Sequence, residues 1–299
     1  MLKILTEASG SLISAYLIHA IKQSGESAVA SDISLNCYAK YLADDFILMP
    51  LTNDPNLWSK IEESLIDYEI NAVIPSLDET LLGWAERKEY FAKKDINVFV
   101  SNPEVIKIFQ DKWLTYQFFK ENDIPTPKTS LEQDFSLIKP RLGRGSIGVF
   151  IASEDIDMYG NISQEFIEGI EYTIDVFCDK KSHPVYIVPR KRINVKDGKS
   201  TAGVVVDSPK IIDYVKKICE ITHFVGPINI QCIETSDGEI KFIEINPRIA
   251  GGMALGFAAT ENWVKLMVDH FIKGKELEPK EVKYGLKMMR YYSEVFTTE

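Results

Sequence analysis

The sequence predicts a parallel α/β domain followed by an α+β region, and three observations support that expectation. Over the first hundred residues short apolar runs alternate with amphipathic stretches, the pattern of strands and helices taken in turn. At Ile124-Pro125-Thr126-Pro127 two prolines interrupt the chain, each pushing its predecessor out of helical geometry. From Phe135 onward strands joined by glycine-rich or charged turns take over, and only two strong helical patterns remain.

Taken in order, Leu2 to Leu5 is a buried-type strand. Leu12 to Gln23 is a helix, with Ile13, Leu17, Ala20 and Ile21 at helical spacing. Strands follow at Ser27 to Ala30 and at Phe46 to Met49, the latter closed by Pro50. Leu57 to Tyr68 is a helix, Ala72 to Ile74 a strand, Leu81 to Lys93 a helix and Asn97 to Val100 a last short strand. Parallel sheets bind ligands at the carboxyl ends of their strands, which selects the loops Thr6 to Gly10 and Ser76 to Glu79. Asp, Ser and Glu are equally at home as helix caps, so both readings of these loops stand. Ser101-Asn102-Pro103-Glu104 opens another helix with Pro in its first turn, and Asp111-Lys112 begins one that runs to about Asn122. Past the proline break the helices are Ile211 to Thr222 and Asn262 to Ile272.

At 299 residues the chain has room for two or three packed units. Its net charge of -10 argues against a nucleic-acid or anionic-membrane partner, since both demand clustered positive charge. Small anions need only a local basic pocket. The four cysteines show no metal spacing and no disulfide framework, which favours a reduced, cytoplasmic chain. The start runs directly into a strand with no signal peptide, and no apolar run reaches the length of a membrane span.

Gly143-Arg144-Gly145-Ser146-Ile147-Gly148 matches GxGxxG, yet a strand (Val149-Phe150-Ile151) follows it where a dinucleotide fold needs a helix. With Leu137-Ile138-Lys139-Pro140 before it, the motif is the tip of a β-hairpin. Such a loop is either a surface turn or a phosphate cover. Its bare backbone N–H groups, with Arg144 at the tip and Lys139 one strand earlier, favour the cover.

Glu244 and Asn246 are two apart in Lys241-Phe-Ile-Glu-Ile-Asn-Pro-Arg248, so on a strand they share one face. Upstream stands Asn229-Ile230-Gln231, and between the two lies Asp237-Gly238, the strongest short hairpin signal. A two-residue loop there pairs Gln231 with Glu244 and Asn229 with Asn246. It also sets Glu234 opposite Lys241 as a cross-strand ion pair on the other face. Four oxygen-bearing side chains on one face can hold a hard cation; the plainer alternative is a solvated polar face. Pro189-Arg190-Lys191-Arg192 is the densest basic cluster and leads into an expected loop at Val195 to Gly203. Like charges this close repel, and a bound anion would relieve them; a solvated basic turn is the alternative.

The order of these pieces resembles the ATP-grasp superfamily: Asp-Lys opening a helix, Ile-Lys-Pro before a glycine hairpin, Glu-Phe-Ile-x-Gly-x-Glu-x-Thr at 165–173, then Asn-x-Gln with Glu-x-Asn-Pro-Arg. The nearest likeness is the carbamoyl-phosphate-synthase-like branch of carboxylate–amine ligases. The resemblance implies a Rossmann-like pre-ATP-grasp domain at 1–100 and a two-lobed ATP-grasp domain. Its small lobe with the glycine-rich loop would be 101–168, and its C-terminal lobe with the metal site 169–299.

By the same resemblance Lys112 and Lys139 contact ATP phosphates, and Arg144, Gly145 and Ser146 close over them. Glu165 and Ile167 hold adenine through backbone groups with Gln164 beside it, and Glu171 binds the ribose. Gln231, Glu244 and Asn246 hold one or two Mg2+ ions, with Mn2+ as a substitute. Arg248 faces the transferred phosphoryl group and joins Lys139 and Arg192 as the implied catalytic set. Many members carry an acid where Gln231 stands, which points to one tight metal. The implied reaction activates a small carboxylate as an acyl phosphate that an amine captures. A carbamate-type kinase and a non-catalytic ATP sensor are the alternatives. Substrate contacts are expected from Ser9-Gly10, Ser76-Asp78-Glu79 and Arg190-Arg192. A homodimer through the first domain would also be in keeping with the family.

Overall fold

Alternating strands and helices build a five-stranded parallel sheet from β1 (Lys3–Thr6), β2 (Ser27–Asp32), β3 (Asp45–Leu48), β4 (Ala72–Ile74) and β5 (Asn97–Val98). The structure, a computed structural model, describes residues 1–196 and 199–298, the side chains of 194–199 excepted. The strand order is β3-β2-β1-β4-β5. The chain therefore leaves β1 on one side, returns, and crosses to the other, which makes a switch point between β1 and β4. Helices α1 (Ser14–Gln23), α2 (Leu57–Asp67) and α3 (Asp78–Ala92) connect the strands. Helix α3 starts one turn before the predicted Leu81. Asp78 and Glu79 supply the negative charge that its amino end favours.

Helices α4 (Pro103–Gln110) and α5 (Lys112–Glu121) follow, the latter capped by Asp111, whose carboxylate accepts from Trp113 N at 2.8 Å. Strands β6 (Thr129–Ser130), β7 (Leu137–Pro140), β8 (Phe150–Ile151) and β9 (Asn161–Gln164) form an antiparallel sheet in the order β6-β9-β7-β8. The glycine motif joins β7 to β8, as the hairpin reading requires.

Then come β10 (Ile170–Cys178), β11 (Pro184–Lys196), β12 (Lys199–Val205), α6 (Pro209–Glu220), β13 (Gly226–Glu234) and β14 (Ile240–Asn246). With β15 (Lys287–Met289) they make an antiparallel sheet ordered β14-β13-β10-β11-β12-β15. Alternation gives this sheet two characters. Ile174, Val176, Ile230 and Ile245 bury one face in a core with Ile211 and Val215 of α6 and Phe109 and Phe119 of α4 and α5. The opposite face carries Glu171, Thr173, Asp175, Asn229 and Gln231.

Two sequence expectations change here. The predicted loop at Val195 to Gly203 is instead strand on both sides, Lys196 pairing with Lys199, with Asp197 and Gly198 outside the described residues. Alternating Ile193, Val195, Thr201 and Val205 beside an Asp-Gly pair carried that information, and the charge density obscured it.

The second change is at the 237–238 turn. Thr235 N donates to Glu239 O at 2.9 Å, so three residues form the loop, with Gly238 in the left-handed region at φ 80°. Every pair near the turn is thereby shifted: Glu234 lies opposite Ile240, and Ile233 opposite Lys241. Lys241 pairs with Glu239 at 2.9 Å, while Glu234 accepts from the Tyr172 hydroxyl at 2.8 Å. A bulge at Ile243 then restores the expected register, so Gln231 faces Glu244 and Asn229 faces Asn246 after all.

By packing, the chain divides once. Met1–Val100, Arg248–Lys280 and Arg290–Glu299 form one unit; Ser101–Pro247 and Glu281–Met289 form the other. The returning segment brings α7 (Ala254–Ala259) and α8 (Trp263–Met267), which runs on into a π-helical turn at Val268–Ile272. Helix α7 shows no polar face, since Ala254, Leu255, Gly256, Phe257 and Ala259 are all buried, and so has no amphipathic signal to read. Among the described residues no helix is long and apolar enough to cross a membrane.

Candidate active site

The polar face of the large sheet opens into a cleft of about 410 Å³ in the second unit, roofed by the glycine loop. Glu171 on β10, Arg192 on β11, Gln231 on β13 and Glu244 on β14 line it; Gln231 stands directly opposite Glu244, and Glu171 lies two residues along β10 from their level. They are linked in a row. Arg192 Nη1 donates to Glu171 Oε2 at 2.7 Å and to Gln231 Oε1 at 3.5 Å. Gln231 Nε2 donates to Glu244 Oε1 at 3.2 Å, and Asn246 Nδ2 donates to the same oxygen.

This donor set suits a hard cation. It holds one carboxylate and two amides gathered on a single oxygen, and a half-turn of each amide presents its carbonyl there instead of its N–H. Among the described residues no three His, Cys, Asp or Glu side chains gather as a metal site. A cation here would therefore rest on amide oxygens besides Glu244. Asn229, expected as a fourth donor, is taken elsewhere: its Nδ2 donates to Asp175 Oδ1 at 2.8 Å.

The smaller sheet supplies the cations. Lys139 on β7 donates from Nζ to Gln164 Oε1 at 2.7 Å, and Gln164 in turn donates to Thr129 Oγ1 at 2.9 Å. Gln164 is thus a buried holder of Lys139 as well as a cleft residue. Lys112 at the start of α5 donates from Nζ to Gly143 O at 2.9 Å, and its backbone N–H donates to Arg141 O at 3.0 Å. The Arg141 guanidinium pairs with Asp111, so the end of β7 and the start of α5 are tied together. Arg144, Gly145 and Ser146 line the roof, and Glu165 and Ile167 the hinge. Gly169 stands where the hinge enters β10. A Cβ there would lie 2.2 Å from Glu234 O, which explains the glycine inside the Ile-x-Gly-x-Glu part of the motif.

Desolvation lowers the Lys139 pKa from 10.5 to about 8; Glu244 and Glu171 pull it up, and Lys112 pushes it further down. Below pH 8 folded and unfolded chains both carry the proton. Between about 8 and 10.5 the unfolded chain binds more protons, so this group adds stability as pH rises through that window. Phosphate oxygens beside the ammonium would favour its charged form. ATP affinity is therefore expected to fall as pH rises through 8, approaching tenfold per unit, and the slope should vanish in Lys139→Met. Calorimetry at pH 8.5 in two buffers of different ionisation enthalpy checks this; no proton uptake by the wild-type chain removes Lys139 from the phosphate site.

The basic cluster is resolved differently from the sequence expectation. Arg190 and Asp175, 3 % and 0 % exposed, pair at 2.6 Å on the same face of the sheet, further along β10 than Glu171. The relief expected of a bound anion thus comes from Asp175 for Arg190 and Glu171 for Arg192. Asp175 was legible only as an acid inside the apolar run Tyr172 to Phe177.

In the first unit, the two loops at the switch point are largely scaffold. Ser9 is buried, donating to Thr6 O at 2.9 Å and accepting from Ser31 N at 3.1 Å. Gly10 N donates to Asp32 Oδ2 at 2.9 Å. Glu7, unassigned by sequence reading, accepts from Trp84 Nε1 and Thr80 Oγ1 at 2.7 Å each and from Ser76 N at 3.2 Å. Burial raises its pKa despite those donors. Asp78 and Arg248 belong to this unit and meet in a two-point pair.

Residues 109–252 match the family described as ATP-grasp domain, and residues 7–99 the PylC-like, N-terminal domain. The tyramine–L-glutamate ligase of Methanocaldococcus jannaschii is 26% identical, over 77% of this chain and 69% of that one. The carbamoyl-phosphate synthase of Methanobrevibacter smithii is 24% identical over 52% of this chain, which spans about half (47%) of that relative. Among solved structures, the biotin carboxylase domain of the Hydrogenobacter thermophilus 2-oxoglutarate carboxylase superposes with a TM-score of 0.74 at 17% identity, covering 96% of this chain and 73% of that domain.

Proposed function

The chain belongs to the ATP-grasp superfamily, as an ATP-dependent ligase, and from that premise we propose that it joins a small-molecule carboxylate to an amine. The supporting observation is the single cleft that gathers Lys112, Lys139, Glu171, Arg192, Gln231 and Glu244 beneath a glycine-rich roof.

Two balanced steps describe the reaction. A carboxylate oxygen of the substrate attacks the γ-phosphorus of ATP, the bond to the β-bridging oxygen breaks, and ADP leaves with an acyl phosphate formed. The amine nitrogen then attacks the acyl carbon, the carbon–oxygen bond breaks, and phosphate departs as the nitrogen loses its proton. The protein's part is electrostatic and positional. Lys112 and Lys139 neutralise phosphate charge, and the loop amides of 143–148 cover it. Glu165 and Ile167 hold the base through backbone groups, and Glu171 holds the ribose. Glu244, Gln231 and Asn246 would hold Mg2+, whose chemistry is Lewis-acid charge neutralisation on phosphate oxygens. Arg248 meets the transferred phosphoryl group. Nothing in this scheme requires a Ser, Cys or His nucleophile.

An amino acid and an amine are the first substrates to test, because the relative from Methanocaldococcus jannaschii is named for L-glutamate and tyramine. A ligase releases ADP and phosphate only when acid and amine are both present. L-Glutamate with tyramine, then pooled amino acids with pooled amines, should show that dependence. Release with the acid alone would make the protein a kinase, and ATP binding without release under any mixture would make it a sensor.

A further inference from the structure

Asp111 divides its carboxylate between two neighbours. Oδ1 accepts from the backbone N–H groups of Trp113 at 2.8 Å and Leu114 at 3.4 Å, which caps α5, and from Arg141 Nε at 3.2 Å. Oδ2 accepts from Arg141 Nη2. Arg141 stands between the end of β7 and the glycine loop, and its backbone serves the same partner. Its carbonyl accepts from Lys112 N at 3.0 Å, and its own N–H donates to Gly160 O at 2.9 Å. Further into the loop, Gly143 O accepts from Lys112 Nζ at 2.9 Å. Asp111 and Lys112, adjacent in sequence, are thus clasped to the root of the loop through side chain and backbone alike.

From this clasp we infer that Asp111 and Arg141 are positioning residues for Lys112, an inference that rests on the proposed phosphate-binding role of that lysine. A two-point carboxylate–guanidinium contact fixes direction as well as distance. Here it sets the first turn of α5 against the strand end from which the loop departs. A lysine carries its point charge on a flexible stem. With its backbone held at the loop root, its ammonium and the loop amides are presented to one anion together. Neither Asp111 nor Arg141 lines the cleft. Arg141 is 35 % exposed, so solvent screens its attraction to Asp111 and little stability depends on it. What the contact supplies is geometry.

Asp111→Asn separates the two tasks of the carboxylate. Its carbonyl oxygen still caps α5, since Asn caps as well as Asp, while an NH2 group meets Arg141 Nη2, donor against donor. Arg141→Met removes the same contact with the cap untouched, and gives the comparison alone if Asp111→Asn does not fold. Calorimetry in a single Mg2+ buffer compares adenosine with ADP, which adds only phosphates, so the ratio of affinities reads the phosphate site. The full chain is expected to bind ADP about 100-fold tighter than adenosine. Each of the two variants should cut that ratio roughly tenfold. Lys112→Met should cut it at least as far, and adding Asp111→Asn to Lys112→Met should change nothing more. Adenosine affinity should stay within about twofold throughout, a split that a general loss of structure would not produce.

An undiminished ratio in Asp111→Asn or Arg141→Met overturns the inference. So does a parallel loss of adenosine and ADP affinity, or a further loss when Asp111→Asn is added to Lys112→Met. An undiminished ratio in Lys112→Met, or no gain of ADP over adenosine in the wild-type chain, overturns the phosphate role of Lys112 itself and is seen separately.

Discussion

Replacing Glu244 by Gln is expected to lower turnover on the order of a thousandfold while leaving the fold unchanged. Glu244 is the one carboxylate of the row Arg192–Gln231–Glu244–Asn246, and both amides converge on its Oε1. A glutamine keeps the shape and can still accept from Gln231, so packing has no reason to change. What it removes is the negative charge that would draw a divalent cation and bind it against two neutral donors. The expected signature is a large loss of ADP release, a Mg2+ requirement shifted to higher concentration, and a thermal midpoint within about 2 °C of wild type. An unchanged rate would remove Glu244 from the metal site and take the cation assignment of Gln231 and Asn246 with it.

The largest effect on stability is expected further along the same face of the sheet. In Asp175→Ala, Arg190 keeps its charge in a position 3 % exposed with its carboxylate partner gone. Breaking a buried pair in this way costs about 3–5 kcal/mol, which for a unit of this size lowers the melting midpoint by roughly 10 °C. The Asn229 amide loses its acceptor in the same step. Removing both charges with Asp175→Ala and Arg190→Met should recover most of the loss, because the penalty lies in the stranded charge and not in the missing attraction. Thermal and denaturant melts of the two variants check this. A single variant that melts within a few degrees of wild type would show that water reaches Arg190.

Much of this was legible in the residues. The parallel first sheet follows from alternating apolar runs, and the glycine hairpin from a strand standing where a helix would be needed. The Gln231–Glu244 pairing was also correct, though the route to it was not. The turn is one residue longer than the Asp-Gly signal implies, and the bulge at Ile243 cancels the shift. Neither feature has a local sequence mark, since Ile243 is simply one more β-branched residue in a strand of them.

The partners of the basic cluster were hidden for a different reason. Charges close in sequence at 190–192 separate once the strand forms. Arg190 goes to Asp175 and Arg192 to Glu171, partners 15 and 21 residues away in sequence. Partners at that range become visible only when the strands are paired. The same applies to Asp78 and Arg248, 170 residues apart.

The bulge at Ile243 also separates two halves of one strand that answer to different constraints. From Ile240 to Phe242 the strand keeps step with its turn; from Glu244 to Asn246 it keeps step with the cleft. Ile243 acts as a phase corrector between them. Were Ile243 paired as an ordinary strand residue, the outward frame would be carried by Ile245, and Glu244 would point into the packed core. The chemistry of the site thus hangs on the count of paired residues in this strand as much as on their kinds. Pairing Ile243 as an ordinary strand residue would erase the acid's role with every named side chain still present, whereas deleting Ile243 would leave Glu244 opposite Gln231.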